Sequence, residues 1–597
     1  MNIIRLEPLL KKTVVEIEIP GSKSYTNRSL ILAYLTKSKV KIINPLISDD
    51  TEVMISCLKK LGVKVIKKDD FIEVENSIST VGNRLYDLNA GLSGTTIRFM
   101  LALSTIIPGI KTLYGKAGLN NRPIAELVDA LRQLGAKIEY LEKEGFPPVR
   151  VSSSKLYPGI VYIKGSISSQ YISALLIIAP LIGDIVIEVT GNQISKPYID
   201  MTIDIIQKFG VKVINKNYQK YLINRQNYSA KKYSIEGDFS SAAYFFAIAA
   251  LTKSTLILKN LNPKSKQADL EFVKILEKMG NKIIYKENKI SIQGSGVKSI
   301  NIDMTSCPDQ VQTLAVLAAF AKGITKISGI QSLKIKETDR IFALRQELKK
   351  MGIKTSATKD ILIIYGGSPK PARIETYNDH RMAMSFAVAA GKLSGMEIIN
   401  PEVVNKTFPD FWEKLSSVGI KNKIVSDKNI VLIGMRGSGK TTIAKLLAKK
   451  LSKQSVELDK LIAEKVGVSI QTIVKTHGWN FFRNKESEIA KDVSLKNNMV
   501  ISTGGGVILK QENIDALKKN GIFILLNASV ETLLKRIGNY SKFPSLTNKK
   551  TPKEELILVL KQRKHLYQKA ADAIINTDNL NPKQVVNLIM SKIGSYI

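Results

Sequence analysis

Two sets of residues in this 597-residue chain have the types and spacing to handle phosphate. At 430–441 the sequence reads IVLIGMRGSGKT, an apolar strand running into G-x-x-x-x-G-K-T. Gly434 and Gly439 let backbone amides curl around phosphates, with Gly437 and Ser438 inside the loop. Lys440 neutralises β- and γ-oxygens, and Thr441 can ligate Mg²⁺. The loop opens the amphipathic helix TTIAKLLAKKL, so an ATP site with Mg²⁺ is expected. The motif alone does not choose between a kinase and another NTPase. The second set is dispersed over loops. PGSKSYTNRS (20–29) presents Lys23, Ser24 and Arg28 where a strand becomes a helix, a place that suits an anion. LSGTTIR (92–98) offers Gly94 for close backbone approach and Arg98 one turn later. GSISSQ (165–170) supplies hydroxyls and an amide, while KETDR (336–340) and YNDHRMAM (377–384) set carboxylates beside Lys336, Arg340 and Arg381. Each reads singly as a capped helix; together they predict a cleft with several cations around two anions.

The elements that must position these loops are legible as a repeat. An apolar helix end, a glycine, any residue and a lysine recur as LKKLGVK, LRQLGAK, IQKFGVK, LEKMGNK, LKKMGIK and LSSVGIK, with glycines at 62, 135, 210, 280, 352 and 419. Glycine at C′ ends a helix cheaply in the left-handed conformation, and the stretches that follow alternate like strands. Recurrence at near-constant period predicts an internally repeated α/β unit. The copies stop at Gly419, and KNKIVSDKN leads into the unrelated P-loop, so a domain boundary is expected near residue 426.

Composition narrows the function classes. The chain is 44% hydrophobic and 24% charged, which excludes general disorder. Two cysteines and three histidines argue against a disulfide scaffold, a thiolate zinc site or a His-rich metal centre. No signal-peptide h-region opens the sequence, and its longest apolar run, 171–183, is short for a membrane span; a cytoplasmic protein is expected. The formal charge of +37 is spread along the chain without a basic tail or a basic–aromatic block. It therefore fits small polyanionic substrates better than nucleic acid.

Over residues 3–420 the sequence resembles EPSP (5-enolpyruvylshikimate-3-phosphate) synthase. PGSKSxxNR, GTTxR, RPIxxLVDALRQLGA, GSxSSQ, SKPYID, EGDxSSAAYF, KETDR, YNDHRMAM and KTFPDFW stand in family order. The resemblance implies a mixed α/β fold of two inverted barrels built from six repeats. The first barrel would span about 20–235 and the second 1–19 plus 236–425, with the active site between them. It implies that Lys23 contacts both substrates. Ser24, Arg28, Ser168, Ser169, Gln170, Ser195, Tyr198, Asp309, Ser332 and Lys336 would hold shikimate 3-phosphate. Gly94, Arg122, Gln170, Arg340, Arg381 and Lys406 would hold phosphoenolpyruvate, and Asp309 and Glu337 would form the acid–base pair. Asp309 would serve as base if partial burial raised its pKa. Ser332 stands where the family commonly has Asn, and Phe99 where many members carry Pro or Leu. No cofactor is implied for this part. UDP-N-acetylglucosamine enolpyruvyl transferase shares the fold but typically carries a cysteine in the loop matching GKAGLNNRP (115–123), which has none.

Residues 426–597 resemble shikimate kinase, a doubly wound P-loop domain with a parallel sheet. The resemblance implies that Asp459, Arg483, Gly504, Gly505, Gly506 and Arg563 bind shikimate, and that Arg536 stacks on adenine. Glu457, in place of the usual Asp, would orient hydrated Mg²⁺ beside Thr441. The lid departs from the pattern: FPSL replaces the family's RPLL-type motif, putting Phe543 where an arginine is usual, with Lys542 one residue earlier. The two resemblances imply a bifunctional enzyme that phosphorylates shikimate and then transfers enolpyruvyl to the product, toward chorismate and aromatic amino acids. The expected partners are shikimate, ATP, shikimate 3-phosphate and phosphoenolpyruvate, with no nucleic acid or membrane, acting on a monomer. An alternative retains an active synthase with a non-catalytic, nucleotide-binding kinase-like domain.

Overall fold

The computed structural model describes residues 2–75, 82–451, 453–538, 540, 544–547 and 551–593. The recurring phrase is a helix terminator in every copy. The glycines take φ of +86° at Gly62, +96° at Gly135, +85° at Gly210, +97° at Gly280, +79° at Gly352 and +97° at Gly419, a region that costs residues with a Cβ. The next residue donates its N–H back across the turn, from Val63 to the Leu58 carbonyl at 3.3 Å through Ile353 to Leu348 at 2.9 Å. These 6→1 bonds satisfy carbonyls that the helix leaves open.

Each glycine turn delivers the chain into a strand, and the unit it belongs to is a β-α-β-α-β-β segment. Its first two strands pair parallel and its last two form an antiparallel hairpin beside them. In one copy, Leu85–Asn89 runs parallel to Ile110–Tyr114, which pairs antiparallel with Val149–Ser152 and then Lys137–Tyr140. The same order recurs around Val40–Ile43, Ile185–Thr190, Thr255–Lys259, Gly323–Ser328 and Met396–Ile399. Contacts gather Ile4–Lys423 into one compact unit, and Met1–Ile3 with the chain from Ile424 onward into a second.

The helix inside each parallel crossover is buried on nearly all sides. Lys23–Leu35, Gly94–Ile106 and Ser169–Ile182 lie in a core drawn from residues between Tyr25 and Ile235. Phe239–Thr252, Val311–Phe320 and His380–Ala387 lie in another, formed by residues 4–19 together with residues between Phe239 and Ile420. A helix buried all round belongs in the middle of such a core. The glycine-terminated helices are amphipathic instead and lie half exposed, as Ala125–Gln133 does.

The second unit is built on a parallel sheet in the order Gln454–Glu457, Met499–Ser502, Asn429–Ile433, Gly521–Asn527, Ala573–Asn576. Strand alternation splits the apolar residues between two cores: Val431 and Ile433 pack into one, Ile430 and Leu432 into the other. Helices therefore cover both faces, as a parallel sheet requires. The mixed α/β class and the parallel P-loop sheet agree with the sequence expectation. Among the described residues no helix is long and apolar enough to cross a membrane.

Candidate active sites

In the first unit the buried crossover helices aim their N-termini at one cleft. Its walls include Lys23, Thr95, Gln170, Asp238 and Asp309, from the starts of successive helices, with Arg381 at the start of another. The positive ends of helix dipoles thus face a common space, an arrangement that favours anions. The free volume there is about 80 Å³.

A network of charged side chains backs one wall of the cleft: Asp309 and Arg381 line it, and Arg340, Glu337, Lys336, Lys406 and Arg122 gather behind them, outside its lining. The Arg340 guanidinium, almost fully buried, donates to Asp379 Oδ2 at 2.7 Å, Asp309 Oδ1 at 2.9 Å and Glu337 Oε2 at 2.9 Å. Asp309 also takes Arg381 Nη2 at 3.2 Å, Lys336 Nζ at 3.4 Å and the Tyr198 hydroxyl at 3.4 Å. Glu337 takes Lys406 Nζ at 2.9 Å, with Arg122 at 3.9 Å. Burial pushes the Asp309 carboxyl up, but Arg381, Lys336 and Arg340 outweigh it and hold it well below the usual carboxylate range. Burial is likewise outweighed at Glu337, by Lys406, Arg340 and Arg122. This corrects the expectation that partial burial raises Asp309: the nearby cations win.

The remaining predicted residues divide into those in the cleft and those behind it. Ser24 lines the cleft beside Lys23. Lys23 donates Nζ to Asp50 at 3.2 Å and its backbone N–H to Asp238 at 3.0 Å. Arg28 lines the cleft too, yet its donors are committed to Thr202 Oγ1 at 2.8 Å and the carbonyls of Ser24 and Tyr198. Gly94 faces Arg122, whose Nη1 would lie 2.8 Å from an added Cβ. Arg98 is buried and donates to Gln170. Ser168 caps the helix that carries Ser169 and Gln170, and Ser195 begins the helix carrying Tyr198. Ser332 lies on the turn Gln331–Ile335, outside the cleft lining. The EGDFSSAAYF stretch, to whose residues the resemblance assigned no role, contributes Asp238, Ser240, Ser241 and Tyr244 to the cleft lining. Asp50, which reaches Lys23, had no motif to mark it.

In the second unit the P-loop and the predicted shikimate residues line one cavity of about 960 Å³. It opens at the carboxyl ends of the parallel strands, where the order reverses around Asn429–Ile433, the expected place for a ligand in a doubly wound sheet. Lys440 Nζ donates to the Gly434 and Met435 carbonyls at 2.9 Å each, and burial lowers its pKa to about 8. Thr441 Oγ1 donates to Glu457 Oε1 at 2.9 Å and lies 3.3 Å from Ser502 Oγ. Hydroxyl and carboxylate oxygens in this arrangement are hard donors that fit Mg²⁺. Gly437, Ser438 and Gly439 complete the loop wall.

Around Gly504 two carboxylates converge, with Asp459 Oδ1 and Glu486 Oε1 each 2.7 Å from where a Cβ would be. Both oxygens are buried and accept no hydrogen bond from the described residues. Burial raises the pKa of both groups. Arg483 donates to the other Glu486 oxygen at 2.6 Å and lies against Gly506, where a Cβ would overlap its guanidinium. Arg563 Nη1 donates to the Gly505 carbonyl at 3.0 Å. Arg536 donates to Thr577 O at 2.7 Å and Oγ1 at 2.9 Å, and Thr577, Leu580, Pro582 and Val585 form the wall near it. That neutral wall carries no sequence signature and went unread. Phe543 and Lys542 lie outside the described residues.

Comparison with known proteins agrees with this division. Residues 10–415 match the family model for EPSP synthase (3-phosphoshikimate 1-carboxyvinyltransferase), and residues 436–594 match that for shikimate kinase. The chain is 41% identical over 429 residues to a 3-phosphoshikimate 1-carboxyvinyltransferase of Sulfurovum sp., covering 70% of this chain and 99% of that protein. It is also 41% identical over 427 residues to one from Shewanella amazonensis, covering 70% and 99%. A solved EPSP synthase from Acinetobacter baumannii superposes with a TM-score of 0.61 at 23% identity, covering 71% of this chain and all of that one; it bears on the fold alone.

Proposed function

The chain belongs to the EPSP synthase family and carries a fused shikimate kinase domain, and on that premise we propose that its two sites catalyse consecutive transfers. The kinase part phosphorylates shikimate with MgATP. The synthase part then moves the enolpyruvyl group of phosphoenolpyruvate onto shikimate 3-phosphate, giving EPSP and phosphate. We assign 1–425 to the synthase, with barrels at 20–235 and at 1–19 plus 236–425, and 426–597 to the kinase. The four substrates are small molecules, met by a monomer in the cytoplasm.

For the synthase, Asp309 and Glu337 are the proton-transfer groups, and their ion pairs define when they act. With Arg340, Arg381, Lys336, Lys406 and Arg122 turned on them, both carboxylates are stable anions and poor bases. Substrate phosphate and carboxylate oxygens compete for those same donors, and Arg suits them bidentately. As the cations turn to substrate, Asp309 and Glu337 lose stabilising charge and their basicity rises. Asp309 then takes the proton of the 5-hydroxyl. Glu337, protonated from solvent once its cations have turned to substrate and its pKa has risen, delivers that proton to the enolpyruvyl methylene and takes one back from the resulting methyl as phosphate leaves. Lys23, at the junction of both substrates, and Gln170 and Tyr198 fix the geometry, and exclusion of water strengthens each contact.

For the kinase, Asp459 is the base for the attacking hydroxyl. Its raised pKa brings it nearer the operating pH than an ordinary aspartate, and its unpartnered Oδ1 faces the cavity that Gly504 leaves open. Arg483 and Arg563 hold the carboxylate of shikimate, and Arg536 meets adenine. Thr441 and Glu457 are the residues to hold Mg²⁺, which, bound with ATP, neutralises and orients the phosphates. The single observation that supports this half best is that the P-loop lysine, Asp459, Arg483 and Arg563 line the same cavity. The test is shikimate-dependent ADP release by the intact chain with MgATP and no phosphoenolpyruvate. Release well above the blank without shikimate is expected; ATP binding without release would leave the kinase part as a nucleotide-binding module.

A further inference from the structure

Arg381 lines the synthase cleft, and one of its supports has no role in the mechanism above. The guanidinium donates Nη1 to the Asp309 carbonyl at 3.1 Å, and Nη2 both to Asp309 Oδ2 at 3.2 Å and to Ser240 Oγ at 3.3 Å. Ser240, in the first turn of the helix Phe239–Thr252, lines the cleft and donates its own hydroxyl hydrogen to Asp269. Asp269 is 3% exposed and sits at the start of the helix Leu270–Lys278. Among the described ion pairs it has no lysine or arginine partner; burial raises its pKa, and Arg381 is the strongest charge opposing that push.

The direction of these bonds matters. Because the Ser240 hydrogen is committed to Asp269, the oxygen can only accept toward Arg381. A buried carboxylate behind the serine strengthens that acceptance, since chained hydrogen bonds polarise one another in a low-dielectric setting. Two of the three Arg381 contacts are to Asp309, and these are the ones that substrate oxygens must replace. The Ser240 contact is on the opposite account: it is not made to a catalytic group, so it can persist when the guanidinium turns from Asp309 to substrate.

From this geometry we infer that Asp269, acting through Ser240, is a positioning residue that keeps the Arg381 guanidinium aimed at phosphoenolpyruvate. The inference rests on the assignment of Arg381 to that substrate. Ser240→Ala removes the acceptor and raises the KM for phosphoenolpyruvate by about tenfold, the loss of one hydrogen bond to a charged group. Asp269→Asn keeps an oxygen for the Ser240 hydroxyl but removes the charge, so its effect is smaller, roughly threefold. Ser240→Thr retains the hydroxyl and restores near wild-type behaviour. In all three variants the KM for shikimate 3-phosphate stays within about twofold, which a general loss of packing would not allow. The experiment is steady-state synthase kinetics of the intact chain with each substrate varied in turn, alongside thermal unfolding. An unchanged KM for phosphoenolpyruvate in Ser240→Ala, equal rises in both KM values, or no recovery in Ser240→Thr would each overturn the inference. Absence of EPSP formation by the unaltered chain would instead overturn the synthase reading beneath it.

Discussion

In the N-terminal cleft the carboxylates are saturated with the protein's own cations, whereas in the C-terminal cavity Asp459 and Glu486 each keep one buried oxygen that accepts no hydrogen bond from the described residues. Asp309 and Glu337 gather arginine and lysine at about 3 Å and are held well below the ordinary range. Burial lifts Asp459 and Glu486 instead. The free volumes follow the same division, about 80 Å³ against about 960 Å³. The difference teaches how each site meets an anion. The cleft holds stand-ins for substrate charge, so binding is an exchange of ion pairs that also switches the basicity of the acid–base groups. The cavity holds an incomplete charge set, with burial lowering the pKa of Lys440 and raising that of Asp459, which phosphate and substrate hydroxyls complete.

The largest test of that separation is a crossed pair of knockouts. Lys440→Ala removes the P-loop lysine; shikimate phosphorylation is abolished, while EPSP formation from supplied shikimate 3-phosphate persists. Asp309→Ala does the reverse. The measurement is both activities on the same preparation, and loss of both from either change would break the view of two independent sites.

How far the sequence reached also differs between the sites. The six C′ glycines, the P-loop and the loop-borne cations were all legible, because each is a local signal: a backbone conformation, a helix start, a charge beside a turn. An internally repeated α/β unit followed from them, while the pair of barrels and the doubly wound sheet were what the family resemblances implied. Charge balance was not legible. Asp309 was expected to be raised by burial, and it is lowered because Arg340, Arg381 and Lys336 arrive from sequence-distant positions around it. Likewise Ser240 and Asp269 are joined across 29 residues, and Thr577 meets Arg536 across 41. Such pairings depend on which helices are neighbours, information that no local pattern carries.

A second test uses the glycines that let cations lie against the backbone. In the cavity, Gly506→Ala places a methyl where the Arg483 guanidinium lies, and Glu486 holds that arginine in place at 2.6 Å. Displacement of a substrate-orienting arginine by about 1 Å costs on the order of 100-fold, expected here in kcat/KM for shikimate with synthase kinetics unchanged. In the cleft, Gly94→Ala meets Arg122 Nη1 at 2.8 Å, the far end of a flexible chain that can yield. The expected rise in the KM for phosphoenolpyruvate is about tenfold, since only one ion-pairing group shifts. A larger effect at Gly94 than at Gly506 would mean that the crowded cleft is the more rigid of the two.

The smallest expected effect reads the contrast as stability, and its sign is opposite in the two units. Asp459 has a folded pKa above its unfolded value, so at neutral pH its ionised form is a cost to the folded kinase unit. Asp459→Asn relieves that cost and raises the unfolding temperature by about 2–4 °C for each kcal/mol recovered, while abolishing turnover. The gain shrinks as pH falls through the raised folded pKa, because the wild-type carboxyl then becomes neutral by itself. Asp309 is the converse. Its folded pKa lies below the unfolded value, so its ionised form stabilises the synthase unit above the ordinary carboxylate range, and that stability is lost as pH falls below it. Asp309→Asn therefore lowers the unfolding temperature of the synthase unit at pH 7, since it leaves Arg340, Arg381 and Lys336 facing a neutral group in a buried setting. Calorimetry of the intact chain at pH 7 and pH 5 measures both. If the two asparagine variants shift their units in the same direction at pH 7, the contrast between a charge-satisfied cleft and a charge-incomplete cavity is wrong.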